Sequence, residues 1–186
     1  MMAFWYLSQI FQSTEKETSG PSTLNIGIRF FRKFKKMDIE WVCKHHSDLS
    51  KEQLYAILKL RADVFVVEQN CAYPDVDGLD LEGDTYHLMA WQDNHLVAYL
   101  RLLDPHSQNS DVVIGRVVIA PQARGQGLGH TLMEQALKQA EKHWPGTSIS
   151  LSAQAHLQGY YGRYGFEVVG VEYMEDGIPH IGMHRP

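Results

Sequence analysis

Residues 117–129 read Val117-Val118-Ile119-Ala120-Pro121-Gln122-Ala123-Arg124-Gly125-Gln126-Gly127-Leu128-Gly129, an apolar stretch that runs into a glycine-rich segment. This pattern predicts a β-strand, a tight turn and the start of a helix, in that order. A helix N-terminus presents unpaired amide N–H groups and the positive end of the helix dipole, and glycines allow a ligand to approach the backbone closely. The segment therefore predicts a site for an anionic ligand.

The spacing of the glycines decides which anion is expected. A dinucleotide-binding fingerprint needs a third glycine at position 130, which is His130, and a P-loop needs a Gly-Lys-Ser/Thr triplet that is absent. The remaining pattern, Arg124-x-x-Gly127-x-Gly129, resembles the acetyl-coenzyme A signature of the GCN5-related N-acetyltransferase (GNAT) superfamily. The alternative is a plain strand-to-helix connection that happens to be rich in glycine.

Composition and charge limit the classes of protein to consider. The 186 residues are 44% hydrophobic and 21% charged, which is typical of one soluble globular domain. Residues 1–36 carry a charge of +4, which leaves −9 for residues 37–186 out of the total of −5. An acidic body disfavours nucleic acid as a partner and favours cationic ligands such as amines.

The cysteines and the apolar runs predict a cytoplasmic protein. Cys43 and Cys71 belong to no CxxC motif, so neither a disulfide framework nor a zinc site is expected. No apolar run approaches the roughly 20 residues that a membrane-spanning helix needs, so no transmembrane segment is expected.

The chain divides near residue 37. Residues 1–36 contain a polar stretch rich in Ser, Thr, Gly and Pro, which predicts a poorly ordered N-terminal extension. One alternative is that residues 30–36, which are basic and aromatic, contact a membrane surface or a partner, and another is that the domain has its natural start at Met37. Residues 37–186 are predicted to form the functional domain.

The periodicity of residues 37–186 predicts a mixed α/β fold. Strands are expected at 38–43, 85–91, 96–103, 111–120, 149–153, 166–173 and 181–184, and Ser50 with Gln53 forms a capping box that begins the first helix. Helices are also expected after the glycine turn and at 155–164. This order, a mostly antiparallel central sheet flanked by helices, resembles the GNAT acyl-CoA N-acyltransferase fold over residues 37–186.

A second motif agrees with the first. Tyr160-Tyr161-Gly162-Arg163-Tyr164-Gly165-Phe166 resembles the end of the fourth GNAT helix. The resemblance implies that Tyr161 lies near the sulfur of coenzyme A and protonates the leaving thiolate; the alternative is a core tyrosine. Many relatives have an asparagine that contacts pantetheine where this chain has Gln154.

The resemblance also implies how the donor is held. Backbone N–H groups of Gly125, Gln126, Gly127, Leu128 and Gly129 bind the pyrophosphate, and Arg124 adds a charged contact. A backbone N–H from the strand at Val117, Val118 and Ile119 binds the carbonyl oxygen of the thioester.

Three further segments, residues 61–78, 154–158 and 175–183, are similar to the ElaA-like branch of the superfamily, which supplies no acceptor. Some relatives carry a catalytic glutamate on the strand at 112–119, but this strand contains no carboxylate. Glu68 is therefore the first candidate for the general base and His87 the second. The alternative for Glu68 is an internal ion pair, with Arg61 or Arg116 as partner. His87 and His180 are candidate acceptor-binding residues.

An acidic stretch, containing Asp75, Asp77, Asp80, Glu82 and Asp84, does not have the spacing of an EF-hand. It is either a solvated loop or a wall that holds a cationic amine. His180 and His184 lack a third ligand, so no metal site is expected.

Together these features predict an N-acetyltransferase. Acetyl-CoA is the expected co-substrate, and the expected acceptor is a primary amine of a small molecule or peptide that attacks directly in a ternary complex. A non-catalytic acyl-CoA-binding or regulatory module of the same fold is the alternative, and a protein tethered through residues 1–36 is a third. The oligomeric state stays open, with a homodimer among the options.

Overall fold

The computed structural model describes residues 38–186, so the expectation for residues 1–36 falls outside the described part. Three α-helices are present in that part, α1 (Lys51–Arg61), α2 (Leu128–His143) and α3 (Gln158–Gly162), and a π-helical segment, Ala62–Glu68, continues α1. The strands are β1 (Glu40–His45), β2 (Tyr86–Gln92), β3 (His95–Leu103), β4 (Val112–Ile119), β5 (Ile149–Gln154), β6 (Glu167–Glu175) and β7 (Ile178–Arg185).

These strands form one sheet in the order β1-β2-β3-β4-β5-β7-β6. Every neighbouring pair is antiparallel except β4 and β5, which are parallel. The predicted mixed α/β fold with a mostly antiparallel sheet is thus confirmed, including the three consecutive antiparallel strands β2, β3 and β4.

Helices cover both faces of the sheet. Ile57 and Val64, from α1 and its continuation, pack with Met89 and Tyr99. Residues of α2, such as Leu132, pack instead with the residues next to these in β2 and β3: Leu88, Ala98 and Leu100. Since successive strand residues point to opposite faces, α1 and α2 lie on opposite sides of the sheet.

The start of α1 follows the predicted capping box. The Ser50 hydroxyl accepts a hydrogen bond from the Gln53 amide at 3.2 Å, and the Gln53 side-chain oxygen accepts one from the Ser50 amide at 3.1 Å. The backbone amides of Ser50 and Gln53 therefore both have hydrogen-bond acceptors within the motif. The π-helical segment follows Arg61 directly, and single π-helical turns are frequent at functional sites.

Candidate active site

The glycine turn leaves backbone donors unused. Gly125 and Gly127 have φ values of +72° and +76°, a region that favours glycine, and a Cβ at either position would meet no atom within 4 Å. Gly127 is the N-cap of α2 and has no side-chain capping bond. Among the described residues, none accepts a hydrogen bond from the amides of residues 125–129. The turn thus combines open space with unpaired N–H groups, as an anion requires.

A bulge in β4 opens the centre of the sheet. Tyr99 pairs with Val118 and Arg101 with Gly115, so Leu100 faces two residues, Arg116 and Val117. Arg116 has φ +56°, a left-handed conformation that is uncommon for a residue with a side chain. Bulges bend a strand and are frequent next to active sites.

Beyond this bulge β4 and β5 separate. The pairing between them is limited to Val112 with Ile149 and Val113 with Ser150. The β5-facing edge of residues 114–119 consequently lacks a strand partner, and a cleft of about 620 Å³ lies between the two strands. Val117, Gln154 and Tyr161 line this cleft together.

Tyr161 and Gln154 have unused hydrogen-bonding capacity in the cleft. Tyr161 is only 6% exposed, and burial raises the pKa of its phenol, which keeps the hydroxyl protonated. The side-chain oxygen of Gln154 is buried and accepts no hydrogen bond within residues 38–186. A buried amide oxygen without a partner is costly, so a ligand amide at this position would satisfy it. These groups and the free turn amides fit an acyl-CoA donor.

Glu68 and Arg124 form an ion pair with each other. The two guanidinium NH₂ groups of Arg124 donate to the two Glu68 carboxylate oxygens at 2.6 and 2.9 Å, and its Nε donates to the Ile119 carbonyl at 3.1 Å. This bidentate pair joins the π-helical segment to the glycine turn. The internal ion pair considered for Glu68 thus exists, but its partner is Arg124 rather than Arg61 or Arg116. Neither Glu68 nor Arg124 lines the cleft.

The other arginines pair with the acidic stretch. Arg61 binds Asp75 and Asp80 at 2.8 and 2.6 Å, while Arg101 binds Asp77 and Asp80 at 2.6 and 2.7 Å. Arg116 completes the network by binding Asp75 and Asp77, both at 3.0 Å. Three arginines and three aspartates therefore compensate one another. Although burial opposes it, Arg101 and Arg116 keep the pKa of Asp77 below its usual range. Arg61 and Arg101 do the same for Asp80.

This network overturns both interpretations of the acidic stretch, as a solvated loop or as a wall that holds a cationic amine. Asp75 and Asp80 are 6% and 5% exposed, so this part of the stretch is neither a solvated loop nor a wall of free carboxylates. The arginine partners lie far away in sequence, and spacing within the acidic stretch gives no sign of them. The network fixes the loop that carries Tyr73 and Asp77 against one side of the cleft.

The two candidate histidines occupy different environments. His87 is fully buried: Nε2 lies 2.9 Å from the Asp80 carbonyl and Nδ1 lies 2.9 Å from the Tyr99 hydroxyl. Desolvation lowers the pKa of His87 to about 4, so the ring is neutral and donates through Nε2 while Nδ1 accepts. His87 does not line the cleft, and its position is that of a core residue.

His180 lies in the cleft beside Gln154, its partner across β5 and β7. Nδ1 of His180 is 2.9 Å from the Ile178 carbonyl, which can only accept. In the neutral ring Nδ1 therefore carries the hydrogen, and Nε2 is the basic nitrogen.

The sequence did not single out the polar residues at the β6 side of the cleft. Ser152 bonds with the Tyr173 hydroxyl at 2.5 Å and donates to the Glu175 carboxylate at 3.1 Å. These residues are widely separated in the chain, and the pairing of β5, β7 and β6 brings them together. Only the strand order, which the periodicity did not predict, could have indicated them.

Within residues 38–186, no cluster of three metal-binding side chains occurs. Nor does any helix of that part have the length and apolar character needed to cross a bilayer.

Most of the chain is similar to proteins of one family. The family model described as "Acetyltransferase (GNAT) domain" matches residues 47–185. Protein ElaA of Escherichia coli K12 is 52% identical over 147 residues, which are 79% of this chain and 96% of that protein.

Solved structures agree with this match. An acyl-CoA N-acyltransferase from Pseudomonas aeruginosa is 63% identical with a TM-score of 0.77, covering 79% of this chain and 99% of its own. An aminoglycoside 6'-N-acetyltransferase complexed with coenzyme A has a TM-score of 0.59 at 15% identity, covering 77% of this chain and 96% of its own, a similarity of fold alone.

Proposed function

Since this chain belongs to the GNAT acetyltransferase family and has its acyltransferase fold, we propose that it transfers an acetyl group from acetyl-CoA to a primary amine. The observation that carries the proposal is the separation of β4 from β5, with Val117, Gln154 and Tyr161 on the walls of the resulting cleft. A non-catalytic binding module would need the glycine turn but not a buried, protonated tyrosine facing the same cleft.

The glycine turn and the cleft hold the two ends of the donor. The free amides of residues 125–129 bind the pyrophosphate, and the unpaired oxygen of Gln154 accepts from an amide of the pantetheine arm. Arg124 serves this site by holding the turn through Glu68 and Ile119, which differs from the direct phosphate contact expected from the motif.

The chemistry requires two proton transfers. Acetyl-CoA supplies the acyl carbon, to which the amine nitrogen bonds as the carbon–sulfur bond breaks. The Tyr161 hydroxyl gives its proton to the departing sulfur, and the unpartnered edge of β4 at Val117–Ile119 donates an N–H to the carbonyl oxygen. Solvent then returns a proton to the Tyr161 phenolate and takes up the proton that the base removed from the neutral amine, so the one proton lost by the amine balances the one gained by the thiol.

We assign to His180 the role of taking the proton of the amine, directly or through water. It lines the cleft, and the contact of Nδ1 with the Ile178 carbonyl leaves Nε2 as the basic nitrogen. Glu68 and His87, the bases expected from the sequence, do not line the cleft. His180 was expected only to contact the acceptor, and we assign it this additional role.

The test is release of CoA thiol from acetyl-CoA in the presence of a panel of primary amines. We expect turnover by the unchanged protein, a loss of about a hundredfold in kcat for Tyr161→Phe, and loss of donor binding for Gly127→Asp. The Gly127→Asp change places a carboxylate and a strained φ where the phosphates are expected.

Gly146→Asp is the matched control, since Gly146 has φ +70° and equally open surroundings but lies beyond the end of α2. Stabilisation by CoA without turnover on any amine would contradict the enzymatic proposal and favour the binding module. One observation favours the binding module: neither Glu68 nor His87 lines the cleft.

A further inference from the structure

Helix α3 carries the tyrosine that faces the cleft, yet it is too short to hold its own position. It contains five residues, Gln158–Gly162, and an isolated helix of this length is not stable in water. Its orientation, and with it the orientation of Tyr161, must be set by contacts with neighbouring elements.

Two other tyrosines of this segment make such contacts. Tyr160 and Tyr164 are four residues apart, while Tyr161 lies on the cleft side. The Tyr160 hydroxyl donates to the Gly129 carbonyl at 2.7 Å, and the Tyr164 hydroxyl is 2.5 Å from Nδ1 of His130. Gly129 is the last residue of the glycine turn, and it lies with His130 in the first turn of α2.

The same region is linked by ring contacts. The ring centroids of His130 and Tyr160 are 5.1 Å apart, those of Tyr160 and Tyr161 are 5.0 Å apart with edge-to-face geometry, and Tyr161 meets Phe166 at 6.1 Å. Aromatic pairs at these separations attract one another in preferred orientations. A shift of Tyr160 thus displaces Tyr161 as well.

Burial makes the hydroxyl contact of Tyr160 persistent. Desolvation raises the pKa of the Tyr160 phenol, so the group keeps its proton and remains a donor to the Gly129 carbonyl. The contact joins a backbone group of the donor-binding turn to the helix that carries the proton donor.

We propose that Tyr160 and Tyr164 are positioning residues that couple the glycine turn to Tyr161, so that occupation of the turn fixes the Tyr161 hydroxyl for proton transfer. This inference rests on the proposed function. Neither residue lines the cleft, so both act through Tyr161.

The test is a double-mutant cycle. Tyr160→Phe and Tyr164→Phe are made in the unchanged protein and in the Tyr161→Phe background, and kcat and the KM for acetyl-CoA are measured with saturating amine. We expect Tyr160→Phe to lower kcat about tenfold while the KM for acetyl-CoA changes less than about twofold. In the Tyr161→Phe background, neither change should lower kcat further, because the residue through which it acts is absent.

Tyr55→Phe is the matched control, since Tyr55 is 71% exposed on α1 and the same hydroxyl is removed there. Equal losses in both backgrounds, or an unchanged kcat for Tyr160→Phe, would overturn the coupling. Should Tyr160→Phe unfold, Tyr164→Phe decides by the same comparison.

A second readout separates this inference from the proposed function. With 3-fluorotyrosine at position 161, CoA should shift the fluorine NMR signal in the unchanged protein and shift it less in Tyr160→Phe. A protein that binds CoA and transfers no acetyl group would refute the proposed function, and the fluorine signal would still decide the coupling. An identical CoA-induced shift of the fluorine signal in the unchanged protein and in Tyr160→Phe would refute the coupling.

Discussion

The two candidate bases, Glu68 and His180, differ in their surroundings. Glu68 forms a bidentate ion pair with Arg124, whereas His180 lines the cleft. Removing the Glu68 charge releases Arg124 from the π-helical segment, whereas removing the His180 ring takes away a basic nitrogen in the cleft. Loss of a base changes the pH dependence of the rate, while loss of a support changes how well the donor is held.

We expect Glu68→Gln to raise the KM for acetyl-CoA about fivefold and to leave the pH profile of kcat unchanged, since an ion pair of this kind orders the turn. His180→Gln should lower kcat about a hundredfold and change the KM for acetyl-CoA less than about twofold, since the basic nitrogen is lost and the turn is left intact. Both are measured by initial rates from pH 6 to 9.

His156→Gln is the control for the histidine change, because His156 is near His180 but does not line the cleft. A hundredfold loss of kcat in Glu68→Gln with an unchanged kcat in His180→Gln would return the role of base to Glu68.

At the scale of elements, a buried histidine joins the acidic loop to the sheet. His87 on β2 donates to the Asp80 carbonyl and accepts from Tyr99 on β3, and it does so as a neutral ring with its pKa lowered to about 4. An unfolded histidine has a pKa near ~6.5, so between pH 6.5 and 4 the unfolded chain binds more protons. The contribution of His87 to stability is complete above pH 6.5 and is lost as the pH falls toward 4.

We therefore expect the free energy of unfolding to fall between pH 7 and pH 5, with a His87 contribution that approaches about 1.4 kcal/mol per pH unit. His87→Gln, which keeps a donor and an acceptor, should be less stable at pH 7 but should lose less stability on acidification. Urea denaturation at both pH values measures this. His95→Gln, at the exposed start of β3, should behave as the unchanged protein; equal pH dependence in His87→Gln would contradict the assignment.

The elements and the site differ in how far the sequence predicts them. The capping box at Ser50, the hairpin between β2 and β3 and the glycine turn are local patterns, and the structure contains all three. The partners of Asp75, Asp77 and Asp80 depend on contacts between distant segments. Periodicity gives the face of a strand but not its neighbour, so the arginine network and the Ser152–Tyr173–Glu175 cluster could not be predicted.

The charge of the whole domain bears on the acceptor. The arginines of the cleft are compensated within their network, which leaves Asp111, Glu175 and Asp176 as the remaining carboxylates on the cleft walls. Residues 37–186 carry −9 overall, so the field also favours a cation. An acceptor with a second positive charge should therefore react better than a monoamine of equal length.

We expect kcat/KM for a linear diamine to exceed that of the matched monoamine, and Glu175→Gln to reduce this preference about threefold, a magnitude typical of exposed charges. Glu172→Gln removes the same charge from β6 without touching the cleft and should have no effect on the preference. Added salt should weaken the preference in the unchanged protein. Equal effects of the two substitutions would mean that Glu175 has no specific role.

The separation of β4 from β5 also bears on whether the sheet pairs with strands of other molecules. Unpaired backbone groups along a strand normally recruit strands from other molecules and promote aggregation when they lie at the outer border of a sheet. In this domain only the β5-facing edge of residues 114–119 of β4 lacks a strand partner, and that edge lies inside the sheet, between β3 and β5. Because this edge faces the cleft and not the outer border of the sheet, its backbone hydrogen-bonding capacity is kept for a ligand in the cleft and is not offered to a strand of another molecule.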